Sequence, residues 1–158
     1  MKKHYVYLLI GIAALVLDQV SKYMIETTLS LGESLSIIPG FFQLLYVRNT
    51  GGAWSMFAGT NMTVFYVITI VELVILFLFY RSCEEKDRWN RSALVLMMAG
   101  AIGNFIDRLS FQYVRDFLSF NIFGYDFPVF NIADCALCIG VFIIVGKILL
   151  EEFGVIRK

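Results

Sequence analysis

The stretch FNIADCALCIGVFIIVG, Phe130–Gly146, indicates the class of fold to which this chain belongs. An aspartate, Asp134, stands at the start of a run of apolar residues that continues to Leu150. A bilayer crossing takes roughly 20 mostly apolar residues, and this run approaches that length. A carboxylate is costly to remove from water, so its place at the entrance of such a segment requires a reason. Because Asp is a favoured N-cap residue, we expect Asp134 to cap this helix.

The composition of the whole chain points to a membrane protein. Of its 158 residues, 59% are hydrophobic and only 16% are charged, and the mean hydropathy is +0.75. Soluble domains are usually about 45–50% apolar, and a chain of this size has too little interior to bury more. The 13 basic and 13 acidic residues give no net charge, which argues against a nucleic-acid-binding protein.

Four stretches are long and apolar enough to be transmembrane helices. The predicted spans are residues 5–25, 62–80, 92–109 and 133–150. Lys and Arg are enriched on the cytoplasmic side of membrane proteins. With these spans, nine of the thirteen Lys and Arg residues fall at the termini or in the loop between the second and third spans. We therefore expect both termini to be cytoplasmic.

The two segments on the opposite side of the membrane do not have the composition of ordinary loops. Residues 26–61 and 110–132 contain short runs of Phe, Tyr, Leu and Val, separated in the first segment by Pro-Gly and Thr-Gly-Gly. Such punctuation predicts two or three short strands in the first segment. Because aromatic residues are enriched at membrane interfaces, we predict a small extracytoplasmic β-sheet on the outer leaflet.

Polar side chains are concentrated near the outer ends of the predicted helices. Asp18 and Lys22 are four residues apart, so they share a helix face and can pair. The remaining polar residues of this region are Asn49, Asn104, Asp107, Arg108, Asp116 and Asp134. Ionisable groups within a membrane are costly and usually functional, which makes the outer ends the candidate site. Glu72, midway along the second span, is an exception for which the sequence offers no role.

The available residue types restrict the chemistry of this site. The single histidine, His4, lies at the other side, which leaves no Ser–His pair and no histidine-rich zinc site. Cys135 and Cys138 form one isolated C-x-x-C, and we expect them to be buried thiols. Two carboxylates that share a proton act as general acid and base, as in aspartic peptidases. Spacing leaves open any two of Asp18, Asp107, Asp116 and Asp134.

Two other functions are compatible with the composition. A small proton- or ion-coupled transporter would use intramembrane acidic and basic residues as a relay, with Glu72 as its best support. A non-catalytic membrane scaffold or insertion partner would tolerate the exchange of both site aspartates for Asn. The concentration of polar residues at one side of the membrane favours a site over a relay that crosses it.

Five motifs, in the order DQVSK, RNTGGAW, GAIGNFIDR, VRDF and FNIAD, resemble those of the lipoprotein signal peptidases, or signal peptidase II. The resemblance covers nearly the whole chain, and it implies one membrane-embedded aspartic peptidase domain over residues 1–158, without metal or cofactor. It implies that the catalytic residues are Asp116 and Asp134. The residues that it implies shape or support the site are Asn49, Asn104, Arg108, Asn131, Asp18, Lys22 and Gly51.

The resemblance also implies a substrate and a location. The expected substrates are prolipoproteins that carry a diacylglyceryl group on a cysteine, cut just before that cysteine near the outer face of the bacterial cytoplasmic membrane. Membrane lipid and the cyclic peptide globomycin are expected ligands, and one chain with a complete motif set is expected to act as a monomer. The chain has NTGGAWSMF where the family often has NxGAAFG, a departure at Gly52 and Trp54.

Overall fold

The computed structural model describes residues 4–51 and 61–155, which form four long helices and one four-stranded sheet. The helices are α1 (His4–Thr28), α2 (Met62–Ser82), α3 (Arg88–Phe111) and α4 (Ile132–Glu152). The strands are β1 (Ser34–Ile38), β2 (Phe42–Asn49), β3 (Val114–Ile122) and β4 (Tyr125–Asp126). All four helices are long and apolar enough to cross a membrane, which confirms the predicted fold class.

The start of α3 differs from its predicted position. Asp87 caps this helix by accepting a hydrogen bond from the Asn90 backbone N–H at 3.1 Å, so the helix begins before the predicted residue 92. Arg91, which the sequence analysis assigned to the loop, consequently lies inside α3 and is buried. Its guanidinium donates to the backbone oxygens of Cys83 and Glu84, which joins α3 to the end of α2.

The outward surfaces of the helices carry large apolar side chains. Leu9 on α1, Leu78 on α2 and Phe142 on α4 are 63%, 60% and 74% exposed. Helices that are apolar on nearly all sides belong in a membrane. This surface is therefore the one that lipid covers, and the protein interior is confined to the contacts between the helices.

The sheet consists of antiparallel neighbours in the order β1-β2-β3-β4. Two of the predicted short strands of the first outer segment are present as β1 and β2. In the register between β2 and β3, Val47 pairs with Asp116 and Asn49 pairs with Val114, which brings Asn49 close to Asp116. Any further strand of that segment, and the departure at Gly52 and Trp54, lie outside the described residues.

Apolar packing holds the sheet on the end of α1. Ile25 and Leu29 from the last turns of α1 form a buried cluster with Tyr46 of β2 and Phe117 of β3. Tyr46 is 2% exposed and Phe117 is 3% exposed. Burial of such side chains contributes about 1.5–3 kcal/mol each, so this cluster fixes the position of β3 relative to the bundle.

Small residues allow α3 and α4 to approach closely. A Cβ atom added to Gly100 would overlap the backbone oxygen of Ala133 and lie 2.9 Å from Leu137 Cγ. Gly140 on α4 is similarly packed against the Ala93 backbone oxygen, 2.7 Å from where a Cβ would be. Association of membrane helices depends on such close packing, because lipid supplies no hydrophobic drive between them. The start of α4 is thereby held against the C-terminal half of α3.

Four buried charged residues, which we call the ionic cluster, join α1, α3 and β3: Asp18, Lys22, Asp107 and Arg115. Lys22 Nζ lies 2.9 Å from Asp18 Oδ2 and 3.5 Å from Asp107 Oδ2, and Arg115 Nη2 lies 2.7 Å from Asp107 Oδ1. These side chains are at most 5% exposed. The predicted pairing of Asp18 with Lys22 is confirmed. The cluster also includes Arg115 of β3, which residue spacing did not link to this pair.

Replacing Gly100 with Ala is expected to destabilise the protein by about 1–3 kcal/mol, because the added methyl group must displace the backbone of α4. Thermal unfolding of the purified protein in detergent measures this loss. Gly146→Ala on α4 is the matched control, since nothing lies within 4 Å of its Cβ position. Equal stability of the two variants would contradict the close packing of α3 and α4.

Replacing Arg115 with Met is expected to destabilise the fold by about 3–5 kcal/mol, because it leaves the buried Asp107 carboxylate without a principal partner. Arg48→Met is the control, since Arg48 lies opposite Arg115 on β2 but is exposed. Adding Asp107→Asn to Arg115→Met is expected to recover part of the loss in the same unfolding assay. A double variant less stable than Arg115→Met alone would contradict this charge pairing.

Candidate active site

One asparagine contacts both of the carboxylates that the resemblance assigns to catalysis. Asp116 lies on β3 and Asp134 lies in the first turn of α4. The Asn131 side chain donates from Nδ2 to Asp116 Oδ1 at 2.6 Å, and its backbone N–H donates to Asp134 Oδ2 at 3.1 Å. The fold therefore brings these two carboxyl groups, eighteen positions apart in the chain, to a common residue.

The start of α4 explains why an aspartate stands at the entrance of an apolar helix. Asn131 is the N-cap and accepts a hydrogen bond from the Asp134 backbone N–H at 3.0 Å, while Asp134 accepts one from the Asn131 backbone N–H. This reciprocal arrangement is a capping box. Our interpretation of Asp134 as the cap itself was therefore wrong: Asn131 occupies that position, and Asp134 is the third residue of the helix.

Two further amide side chains are oriented toward the carboxylates. Asn104 Nδ2 donates to Asp134 Oδ1, and Asn49 Nδ2 donates to Asp116 Oδ2, both at 2.8 Å. The Asn49 oxygen is held by the Gly51 backbone N–H at 3.0 Å, which directs the Asn49 NH₂ group to Asp116.

The orientation of Asn104 is set in the same way. Its oxygen accepts hydrogen bonds from Lys22 Nζ at 3.0 Å and from Asn131 Nδ2 at 3.1 Å, so its NH₂ group is left for Asp134. Lys22 thus links the ionic cluster to the candidate site. A rigid amide scaffold of this kind keeps a catalytic group in one geometry.

The four aspartates left open by spacing divide into two pairs with different partners. Asp18 and Asp107 belong to the ionic cluster, where cations balance their charges. Across residues 4–51 and 61–155, the hydrogen-bond donors to Asp116 and Asp134 are amide groups, and neither carboxylate has an ion pair. Two neighbouring carboxylates that lack a direct ion-pair partner readily share a proton.

The surroundings of Asp116 alter its acidity. Burial, followed by the charge of Asp134, raises the pKa of Asp116 from 3.8 to about 7, against the opposing hydrogen bonds from Asn49 and Asn131. The side chain is 2% exposed, so desolvation of its anion is nearly complete. Asp116 is therefore able to gain and lose a proton near neutral pH.

Arg108 adds a positive charge on the α2 side of the carboxylates. Its guanidinium lies 5.1 Å from the centre of the Phe65 ring and interacts electrostatically with Asp116, Asp134 and Glu72. Glu72 is half-buried, and the spacing of Phe65, Glu72 and the buried Leu76 indicates that it lies on the face of α2 that packs on α3. The unexplained acidic residue of the second span thus faces the same cation as the carboxylates.

Sequence reasoning missed Arg115, which it treated as an ordinary basic residue. The first four residues of β3 are all buried, so side chains on both faces of the strand are covered. Arg115 enters the ionic cluster and also donates to Glu26 Oε2 at 3.0 Å, whereas its neighbour Asp116 enters the site. The available signal for Arg115 was its position next to a candidate catalytic aspartate. The alternation of side chains along a strand does not reveal that both faces of the strand are buried.

The cysteines do not behave as a pair of buried thiols. Cys135 is half-buried, but Cys138 is exposed on the outside of the bundle, so that prediction was wrong for Cys138. The physical reason is that a lipid-facing helix surface accepts a thiol as readily as the interior does. In the part of the chain that the structure describes, no three His, Cys, Asp or Glu side chains form a cluster able to hold a metal ion.

Comparison with known proteins identifies a family. The family model described as signal peptidase (SPase) II matches residues 10–150. A lipoprotein signal peptidase of Staphylococcus haemolyticus is 47% identical over 150 residues, covering 94% of each chain, and one of Staphylococcus aureus (strain JH9) is 43% identical, covering 94% of this chain and 91% of the relative.

The fold agrees with solved structures of the same kind. A bacterial membrane enzyme structure obtained by the in meso method at 2.3 Å resolution superposes with a TM-score of 0.88 at 42% identity, covering 97% of this chain and 93% of the other. A second such structure, at 1.9 Å, gives a TM-score of 0.83 at 44% identity, covering 91% and 92% of the two chains. With agreement in sequence along most of its length and in fold, the chain belongs to the signal peptidase II family of bacterial membrane peptidases.

Proposed function

We propose that this chain is an aspartic endopeptidase that removes the signal peptide from diacylglyceryl-modified prolipoproteins, cutting just before the lipidated cysteine. Membership of the signal peptidase II family, and relatives that are lipoprotein signal peptidases, support peptidase activity on such precursors. The observation that carries the aspartic mechanism is the Asn131 bridge between Asp116 and Asp134, neither of which has a cation as ion-pair partner among the described residues.

The pair has the properties required for general acid–base hydrolysis. Near neutral pH it holds a single proton, so one member is a carboxylate and the other an acid. The carboxylate takes a proton from a water molecule as its oxygen attacks the scissile carbonyl carbon, and the acid protonates the carbonyl oxygen. The proton taken from water then passes to the leaving amine as the C–N bond breaks. As the C=O bond re-forms, the hydroxyl made from the carbonyl oxygen returns its proton to the aspartate that supplied it, which restores the singly protonated pair. These steps need no metal ion.

The surrounding residues position the reacting groups. Asn49, Asn104 and Asn131 fix the carboxylates. We propose that Arg108 donates to a substrate carbonyl oxygen, where a developing negative charge needs a donor. Gly51 and Lys22 support this arrangement by donating to the side-chain oxygens of Asn49 and Asn104, and Asp18 pairs with Lys22.

The location of the reaction follows from the chemistry of the substrate. A signal peptide with a lipid beside its cleavage site presents the scissile bond at one membrane surface, and we propose that this is the outer one, with both termini of the enzyme cytoplasmic. The proposal includes a monomeric enzyme in contact with membrane lipid. It also includes inhibition by globomycin through binding at the carboxylates.

Replacing either catalytic aspartate with Asn is expected to reduce the rate of cleavage by about a thousandfold or more, because an amide cannot exchange the proton. The measurement is a gel-shift assay with a lipidated precursor and purified Asp116→Asn or Asp134→Asn enzyme. Asp126→Asn is the matched control, since Asp126 is an exposed aspartate of the same sheet. Near-normal cleavage by either site variant would refute the assignment. Full activity of the wild-type enzyme in excess chelator is expected from the metal-free steps.

The raised pKa of Asp116 predicts how stability and activity vary with pH. Because this pKa is about 7 in the folded protein against 3.8 as its ordinary value, the folded state binds the proton more tightly, and stability falls as pH rises from 3.8 through about 7. Thermal unfolding across this range is expected to show a shallower slope for Asp116→Asn than for wild type. The wild-type kcat/KM is expected to decline above about pH 7, where the shared proton is lost. Identical stability slopes for the two proteins would contradict the buried proton.

A further inference from the structure

Two tight turns lie side by side at one end of the sheet. The first turn, residues 38–41, joins β1 to β2, and the second turn, residues 122–125, joins β3 to β4. The Asn121 backbone N–H donates to the Phe41 backbone oxygen at 2.8 Å, which connects the two turns. We call these two turns together the sheet tip. The catalytic chemistry described above uses none of their residues.

The sheet tip is covered by large apolar side chains that contact little else in the protein. Phe123 is fully exposed. The other exposed large apolar residues in and beside the two turns are Ile37, Ile38, Phe41, Ile122, Tyr125 and Phe127. Asp126 is the one charged residue in segments 34–42 and 119–127, and its Oδ1 accepts a hydrogen bond from Asn121 Nδ2 at 2.7 Å. An exposed apolar patch of this kind marks contact with a partner or with a membrane.

The backbone at Phe123 shows that this side chain does not serve the turn itself. Phe123 and Gly124 form a two-residue turn between the paired residues Ile122 and Tyr125, with φ angles of 53° and 85°. Turns with two positive φ angles favour Asn-Gly, and a bulky residue rarely adopts this conformation. Phe123 therefore neither suits its backbone nor packs in the interior, and a contact outside the chain accounts for it.

Hydrogen bonds and ring packing hold the sheet tip in one shape. Asn121 Oδ1 accepts from the Gly124 backbone N–H at 2.9 Å, so one side chain holds the second turn on both sides. In the first turn, the Phe41 ring packs edge-to-face on the Phe120 ring, with 5.5 Å between centroids. The apolar side chains are thus presented outward by a rigid support.

The apolar surface of the sheet tip continues from the surface that lipid covers. Tyr23 and Met24 are exposed on the last two turns of α1, and Leu31 is exposed in the connection from α1 to β1. All of β1 is exposed, and its residues Leu35 and Ile37 share one face. Exposed apolar residues therefore follow the chain from the lipid-facing side of α1 to the first turn of the tip.

Lipid fits this surface better than a second protein does. Aromatic residues are enriched where proteins meet the membrane interface, and the absence of Lys and Arg from segments 34–42 and 119–127 makes the attraction apolar rather than electrostatic. A specific protein–protein interface takes about 20–30 residues a side, which two short turns do not supply.

We propose that the sheet tip inserts into the lipid leaflet on the sheet side of the bundle, with Phe41 and Phe123 reaching below the headgroups. This inference depends on the membrane-spanning helices and is independent of the proposed peptidase activity. The sheet is then held at two places, by its buried cluster on the end of α1 and by lipid at the tip. Two attachments fix the depth at which β3 holds Asp116 relative to the membrane.

The test uses a tryptophan at the tip to report its surroundings. The background is Trp54→Phe with Trp89→Phe, which removes both native tryptophans. Phe123→Trp protein in this background is placed in phosphatidylcholine vesicles with or without bromine on the acyl chains. Brominated lipid is expected to quench about half of its emission or more, because interfacial anchors reach roughly 5–10 Å into the bilayer. Acrylamide in the water is expected to quench it weakly.

Arg48→Trp in the same background is the matched control, because Arg48 is exposed on the same sheet near the opposite end of β2. Its emission is expected to be quenched by acrylamide and not by brominated lipid. Phe41→Trp is a second reporter on the neighbouring turn. Adding Phe123→Asn to Phe41→Trp is expected to reduce its quenching by brominated lipid without lowering the unfolding temperature, since Asn suits a positive φ.

Two results would overturn the proposal. If the Phe123→Trp and Phe41→Trp reporters respond to both quenchers as Arg48→Trp does, the sheet tip lies in water. If both reporters are protected from acrylamide and from brominated lipid alike, protein covers the tip, and a second copy of the chain is its occupant instead of lipid.

Discussion

The side chain of Asn131 is the contact on which the rest of the site depends. It caps α4, donates to Asp116 on β3 and donates to Asn104 on α3, so that one amide joins three elements. Inside a membrane protein such a group has no water to replace a lost partner, and an unsatisfied amide costs several kcal/mol. The geometry of the two carboxylates is therefore determined by hydrogen bonds that the surrounding fold has to complete.

A second constraint is the separation of compensated from uncompensated charge. The ionic cluster balances Asp18 and Asp107 against Lys22 and Arg115. Just beyond it, Asp116 has amide donors and no direct ion-pair partner among the described residues, and burial together with the charge of Asp134 raises its pKa despite those hydrogen bonds. A buried ion pair and a proton-sharing carboxylate need opposite environments, and a layer of asparagines keeps them apart while still joining them through Lys22.

Parts of the fold follow from the sequence because they depend on local properties. Run length and hydropathy predict the four spans, and helix spacing predicts the pairing of Asp18 with Lys22. The start of α3 was predicted too late, since the capping by Asp87 was overlooked, and Arg91 was consequently misplaced. Cys138 was expected to be buried, because a sequence pattern does not distinguish a lipid-facing surface from an interior one.

By itself, the sequence determined that this is a four-helix membrane protein with its polar residues concentrated at one side, because hydrophobic length and charge distribution are read directly from residue order. Reasoning from residues, apart from the family resemblance, left four aspartates equivalent. The tertiary structure decided among their environments, since only the packing of α1, α3, α4 and β3 shows which carboxylates meet cations and which meet amides. It also decided the place of Arg115, because the ionic cluster arises from contacts between segments that are distant along the chain.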